Sequence, residues 1–276
     1  MIPMNEAYGN AASLRQYCGV SHSAPIWGEI QHSLWLNNLN KANERRSRLF
    51  PRLFTWNTLL NYENSIPIGD PMSYFVGLNQ PKEVKIRDEV VLLPKFRRAI
   101  NLEERIKQYR GFMLEAFQKW PNANFVLSIH PEEHSHLDRI ISDRFLRVRI
   151  HETIEKSNPM AEYVGLFKSS NFIFTDYLGA HVFRAKSYFD VNTEFASETW
   201  ENSKIDPRIK CLFQDFVTNK GNSDAKRVSD LLLGLEHKKS PIELSKLLGF
   251  SNTQIFFGKI IHKGYIKYSQ RVKTST

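Results

Sequence analysis

Apolar and polar positions change rhythm part-way along the chain. In the first eighty residues the apolar runs are short and each stops at turn formers. "APIWGEI" (24–30), "RLFTWN" (52–57) and "SIPIGDP" (65–71) read as strands. Ahead of them "NEAYGNAASLRQYCG" reads as a short helix over 5–19, with Gly19 just past its end, where a C-cap belongs. "GLNQPKEVKIRDE" (77–89) is polar, carries a proline and reads as a linker.

Beyond the linker the apolar runs are unbroken and alternate with helical periods. "VVLLP" (90–94) and "NFVLSIHP" (124–131) read as strands buried on both faces, and the second ends at Pro131, which cannot donate to a ladder. Between them 101–120 is an amphipathic helix with Asn101 as its cap. "MAEYVGLFKSS" and "GAHVFRAKSYF" have helical spacing on either side of the strand "NFIFTDY". Strands alternating with helices predict a parallel sheet with right-handed crossovers. From Asp224 onward the pattern is helical, "SPIEL" has capping-box spacing with Pro241 in the first turn, and the end is basic. The predicted class is α/β, with two Rossmann-like halves, a parallel sheet in each and the first half abbreviated. The expected division is 1–80, 86–235 and a helical basic segment 236–276.

Composition narrows the function classes. A chain of 276 residues that is 41% hydrophobic can fill two modest cores. Cys18 and Cys211 stand far apart without CxxC spacing, which argues against a disulfide framework or a zinc knot and fits a reducing cytosol. The N-terminal residues lack a basic-then-apolar leader, and no run approaches the roughly 20 apolar residues of a membrane span. The expected location is cytoplasmic. Lys and Arg number 38 against 29 Asp and Glu, and the net charge of +9 favours an anionic partner. Helix-turn-helix, zinc-finger and RNP1 patterns are absent, so nucleic acid is not the expected one.

In open parallel sheets ligands gather beyond the carboxyl ends of the strands. That rule selects four stretches: "EIQHSLW", "PKFRR", "HPEEHSH" and "TDYLGAH". His130, His134 and His136 could converge on a metal, could be exposed histidines at a helix start, or could leave His130 free to meet a phosphate. Pro131 breaks the helical continuity that an i, i+4 metal pair needs, and no metal is expected. Ser169 and Ser170, between a helix and a strand, can donate to a phosphate or merely cap and turn. Thr175, Asp176 and Gly179 fit either a turn with a capping Asp or a loop whose backbone N–H groups approach an anion at a helix N-terminus. Glu29 and His32, flanked by Trp27 and Trp35, fit either a general base with its partner or packed core groups.

The order of these stretches resembles the GT-B glycosyltransferase superfamily, in particular its CDP-glycerol glycerophosphotransferase and capsule-polymer transferase branch. That branch carries a W-H-G-like element, a G-x-P-R-like turn, P-T-x-R, an H-P motif and L-I-T-D-Y-S-S. Here His32 stands in the first, Gly69 and Pro71 in the second, Pro94 and Arg97 in the third, His130 and Pro131 in the fourth, and Thr175, Asp176 and Tyr177 in the last. Leu178 and Gly179 stand where the branch has its serine pair. Bacterial GT-B sialyltransferases are similar in pairing H-P with a later Ser-Ser, matched by Ser169 and Ser170. The resemblance implies a glycosyltransferase that needs neither metal nor cofactor. It would move a sugar from a CMP-, CDP- or UDP-linked donor to a bacterial surface glycan or lipid-linked acceptor. His32, with Glu29, would be the catalytic base. Arg97, His130, Pro131, Ser169, Ser170, Thr175, Asp176 and Gly179 would hold the donor's nucleotide and phosphate. A non-catalytic nucleotide-sugar-binding scaffold and a sugar epimerase of the same fold are the rival readings. The basic C-terminal end would rest on an acidic membrane surface, or is a plain packing helix with a frayed end.

Overall fold

The computed structural model describes residues 9–31, 52–59, 65–79, 89–95, 101–129, 131–141, 148–152, 159–197, 207–218 and 223–250. The chain divides into two compact units. The first gathers residues 1–32, 39–79 and 234–276, and the second gathers 33–38 and 80–233.

In the first unit, strands β1 (Glu29–Ile30), β2 (Leu53–Thr55) and β3 (Ser65–Pro67) pair in parallel in that order. "APIWGEI" contributes only its last two residues to β1. Gly28, at φ 149°, sits so close to Arg52 O that a Cβ would come within 2.6 Å, and just before it Trp27 N donates to Leu248 O instead of to a strand. Helix α1 (Asn10–Tyr17) ends as expected ahead of Gly19, at φ 64°, and residues 5–8 of the predicted helix lie outside the described residues. Helix α2 (Pro71–Leu78) follows β3 with Pro71 at its first turn. In the sequence Gly-Asp-Pro has the pattern of a turn, but proline in a first helical turn forfeits no bond because that N–H has no helical partner. The carboxyl edge is sewn by one residue: Gln31 Oε1 accepts from Trp56 N at 2.9 Å, and Gln31 O accepts from Trp56 Nε1 at 2.9 Å.

The chain returns to this unit after residue 233. Gly234, at φ 63°, lies against Trp56 so tightly that a Cβ would overlap Trp56 O. Helix α9 (Pro241–Leu248, numbered last in chain order) has the expected capping box between Ser240 and Glu243. Its Leu244 and Leu248, with Phe250, enter the same core as Leu14, Ile30, Phe54 and Ile68. Tyr74 Oη donates to Ile68 O and accepts from Lys239 N, the latter at 2.9 Å. Burial holds the Tyr74 phenol well above its ordinary pKa of 10, so it stays a donor. Lys238 Nζ donates to Ser73 O at 3.0 Å and stands 5.5 Å and 5.7 Å from the ring centres of Tyr74 and Tyr17, a cation–π arrangement.

The second unit holds β4 (Glu89–Leu93), β5 (Asn124–Ile129), β6 (Val148–Glu152), β7 (Ser170–Thr175) and β8 (Asn192–Phe195), all parallel, in the order β6-β5-β4-β7-β8. Helix α3 (Leu102–Lys119) carries the predicted Asn101 cap, whose side chain accepts from Glu104 N at 2.9 Å. Its Ile106, Tyr109, Phe112, Met113 and Ala116 pack on Val90, Leu92, Phe125, Leu127 and Phe174. Val91, Val126 and Ile173 alternate to the other face and are buried as well, the reason these strands read as continuous apolar runs. The helices α4 (Leu137–Ile140), α5 (Pro159–Lys168), α6 (Ala180–Phe189), α7 (Pro207–Thr218) and α8 (Ser223–Leu232) complete the unit, with α8 packed on both α6 and α7. The expectation of an α/β chain with a parallel sheet in each of two parts is met.

Candidate functional site

Numbered within the second unit, its sheet runs third, second, first, fourth, fifth. The strand order therefore reverses between β4 and β7, and the crevice beyond the carboxyl ends of those strands is where an open parallel sheet receives ligands. The residues leaving the two strands are joined side chain to backbone. Thr175, fully buried, donates from Oγ1 to Leu93 O at 2.7 Å. Asp176 Oδ1 accepts from Lys95 N at 2.7 Å. Ala196 N, just after β8, donates to Thr175 O at 3.0 Å. These bonds fix the course of both loops at the switch point.

A cleft of about 360 Å³ opens there. Pro94, Lys95 and Asp176 line it from the strand ends, Arg105 and Gln108 from α3, and Ser197 from the loop after β8. Arg105 Nη1 forms an ion pair at 3.2 Å with Glu133, which is fully buried in the 3-10 turn Pro131–His136. That pair ties the turn following β5 to the helix that walls the cleft. Glu115, further along α3, accepts from Ser197 N at 2.8 Å and from Ser197 Oγ at 2.9 Å. The lining mixes Lys95, Arg105 and Lys107 with Glu104, Glu115 and Asp176, which suits a polar ligand with both hydroxyl and anionic parts.

Beside the cleft loop, α6 begins at Gly179 with no side chain capping its first turn. A Cβ on Gly179 would lie 2.8 Å from His181 Nδ1, His181 Cε1 and Tyr177 Cε2, so a larger residue there would have to displace these two rings. The Tyr177 and His181 rings meet 4.6 Å apart between centres. His181 Nε2 is shut off from water and has no hydrogen-bond partner. Burial first, and the Arg184 guanidinium second, push the imidazole down from 6.5 to about 3. The unfolded chain takes up this proton below pH 6.5 while the folded chain refuses it until about pH 3. Stability from this group is complete above pH 6.5 and falls as pH drops through that window, by about 1.4 kcal/mol per pH unit. Urea midpoints at pH 7 and pH 5 should separate for the wild type and draw together for His181→Gln.

The sequence-derived candidates fare unequally. Thr175, Asp176 and Gly179 are brought to the switch point. Pro131 opens the 3-10 turn. His32, Arg97 and His130 lie outside the described residues. Ser169 and Ser170 are not at the site: they stand at the amino end of β7, about 16 Å of strand away from Thr175. Their hydroxyls are taken up locally, Ser169 Oγ donating to Glu89 Oε2 at 2.6 Å and Ser170 Oγ to Leu166 O at the end of α5. The spacing "KSS" before a strand cannot distinguish a phosphate site from a helix terminus, and the strand's direction decides it. Glu29 is inside the first unit, 3% exposed, with both carboxylate oxygens closed to solvent, a poor position for exchanging protons with an acceptor. Arg105 and Gln108 carry no sequence signal beyond the charged first turn of α3, Glu103, Glu104 and Arg105, whereas Glu133 lies within the stretch "HPEEHSH" that the strand-end rule selects.

Among the described residues no group of three His, Cys, Asp or Glu side chains is arranged to hold a metal, and no helix is long and apolar enough to cross a membrane. No protein-family model matches the chain, and no curated protein matches it. Among solved structures it is similar to the UDP-GlcNAc 2-epimerase from Methanocaldococcus jannaschii, at 16% identity over 78% of this chain and 69% of that one, with a TM-score of 0.41. It is also similar to the UDP-GlcNAc 2-epimerase from Neisseria meningitidis bound to UDP-GlcNAc, at 18% identity over 94% and 73%, with a TM-score of 0.41. TarM follows at 9% identity over 89% of this chain and 53% of that one, with a TM-score of 0.35. The chain thus spans about half the length of TarM and about seven-tenths of the two epimerases. Scores of this size carry no conclusion about architecture or activity, and the fold rests on the strand order and side chains given above.

Proposed function

We propose that the carboxyl edge of the second unit binds a nucleotide-activated sugar and that the protein transfers the sugar to a glycan acceptor. One observation carries this reading: the Asp176–Lys95 clasp and a polar cleft lie together at the point where strand order reverses. The uncapped N–H groups of α6 would take the donor phosphate, with His130 contacting it and Arg97 neutralising its charge. Donors aimed at the leaving nucleotide stabilise the charge that grows as the sugar departs, and loss of one typically lowers the rate by about 10²–10³. His32 would take the proton of the acceptor hydroxyl. Ser169, Ser170 and Glu29 have no part in this scheme.

A thermal-shift panel with CMP, CDP, UDP and GDP tests the binding step. A nucleotide at a hundred times its Kd should add about 2.7 kcal/mol to the folded state, and no shift with any of the four would sink the proposal. Sugar transfer from the nucleotide that binds should vanish in His32→Ala while the thermal shift remains. Turnover of donor without acceptor, with an epimerised sugar in the mass spectrum, would reassign the protein to the epimerase reading. Asp176→Ala should weaken nucleotide binding about tenfold and cost about 1–2 kcal/mol of stability, since it removes the carboxylate that accepts from Lys95 N. Asp176→Asn, whose amide oxygen still accepts, should lose less, as urea titration and calorimetric binding will read.

A further inference from the structure

The basic end of the chain, 251–276, lies outside the described residues, and the charge that stands out among the described ones is inside the second unit. Glu133 is fully buried, and neither of its carboxylate oxygens has a hydrogen-bond partner. Its counter-charge is the Arg105 guanidinium, whose Nη1 stands 3.2 Å from Glu133 Oε1. A buried ion pair repays its desolvation only when its geometry is good and hydrogen bonds satisfy the remaining lone pairs. Neither condition is met here: the charges meet, but no N–H is aligned on the carboxylate. The pair is therefore a poor stabiliser of the fold, and what it supplies is position. Arg105, with its side chain 16% exposed, lines the cleft at the switch point, and the fixed negative charge behind it holds the guanidinium at that wall. A guanidinium presents five N–H donors in one plane, a match for two oxygens of a carboxylate or phosphate. The acidic side chains of the same cleft already accept from neutral donors. Glu104 Oε1 accepts from Gln108 Nε2 at 3.3 Å, Glu115 from Ser197 N and Oγ, and Asp176 Oδ1 from Lys95 N.

We propose that Arg105 binds an oxyanion of the ligand in this cleft and that Glu133 is the positioning residue for Arg105. The oxyanion is a phosphate of the nucleotide or the carboxylate of an acidic sugar, which present the same pair of anionic oxygens. The inference rests on the nucleotide-sugar reading for the identity of the ligand; the burial and geometry of the pair stand without it. Two roles for Glu133 predict opposite results when its charge is deleted. A bystander carboxylate near an anion site repels the ligand, so its neutralisation tightens binding. A carboxylate that holds the guanidinium in place acts the other way, because a released arginine has rotamer freedom to lose when the ligand arrives. A pair that is badly bonded yet kept at the cleft wall fits the second role.

Calorimetric titration of the full chain with inorganic pyrophosphate, UDP, UDP-glucose and UDP-glucuronate is the test. Arg105→Met alone strands a buried carboxylate and is expected to fold poorly. Arg105→Met combined with Glu133→Gln removes both charges and should melt, by circular dichroism, at or above the wild-type temperature. That double variant should bind about ten- to a hundredfold more weakly. Loss with pyrophosphate and UDP puts Arg105 on the diphosphate, and loss with UDP-glucuronate but not UDP-glucose puts it on a sugar carboxylate. Glu133→Gln alone should weaken the same probe about fivefold with an unchanged or raised melt, and Glu133→Asp, which keeps the charge, should recover part of the loss. Wild-type affinity of the double variant for every probe would overturn the proposal and leave the nucleotide reading standing. Unchanged or tighter binding in Glu133→Gln would overturn the positioning role. Pyrophosphate binding that depends on Arg105, with no response to any of the three nucleotides, would uphold the anion site and remove the nucleotide reading, and no binding of any probe by the wild type would overturn both.

Discussion

A chain ending after Leu233 is expected to lose the first unit and keep the second. The first unit's core is completed by Leu244, Leu248 and Phe250, which arrive from the far end of the sequence. Full burial of a large apolar side chain is worth about 1.5–3 kcal/mol, so the three together contribute about 5–9 kcal/mol. A whole domain is held by only about 5–15 kcal/mol. The truncation also removes Lys239, whose N–H satisfies Tyr74, and Lys238, whose ammonium bonds Ser73 O. Native-state hydrogen exchange on the truncated chain should show β2 amides without protection and β5 amides protected as in the full chain. Equal protection of β2 in both chains would show that residues 234–250 are dispensable to that core. The join has a further sensitive point in Gly234, where any Cβ would collide with Trp56 O on a backbone that disfavours side chains.

Phe174→Ala should be the most damaging single substitution in the second unit, at about 3–5 kcal/mol. The ring is fully buried, stacked on Phe112 at 4.8 Å between centres and met edge-on by Trp120 at 5.7 Å. Its removal opens a cavity that α3 and the strands cannot close without moving. The residue immediately precedes Thr175, whose hydroxyl holds Leu93 O, so the loss should reach the switch point and nucleotide affinity should fall with stability. Phe174→Leu keeps much of the volume and should cost less than half as much. Chemical denaturation followed by circular dichroism, alongside nucleotide titration, separates the two substitutions.

Most of the second unit was legible in the chain. Its strands are apolar on both faces, and "VVLLP", "NFVLSIHP" and "NFIFTDY" therefore stand out without help from periodicity. Asn101 and Ser240 were legible as caps because an N-cap is a local bargain between one side chain and an amide in the next turn. Thr175, Asp176 and Gly179 were legible because they follow a strand and precede a helix. The first unit was harder to read. Its strands are two or three residues long, and α2 hides behind a Gly-Asp-Pro turn whose helical continuation is stabilised by tertiary burial of Met72, Tyr74 and Phe75.

By itself the sequence determined what neighbouring residues can settle among themselves: the caps, the turns, the apolar strands, the alternation that makes the sheets parallel, and a net charge of +9. Tertiary structure alone decided which end of a strand a residue occupies relative to its neighbours, and this separated Asp176 at the cleft from Ser169 and Ser170 at the opposite edge. It also decided that residues 234–250 complete the first unit, and that Arg105 and Glu133, 28 positions apart, form one ion pair at 3.2 Å. The physical reason is that a hydrogen bond, an ion pair or a buried contact depends on distance in space, and only the packed sheets bring such distant positions within a few ångströms.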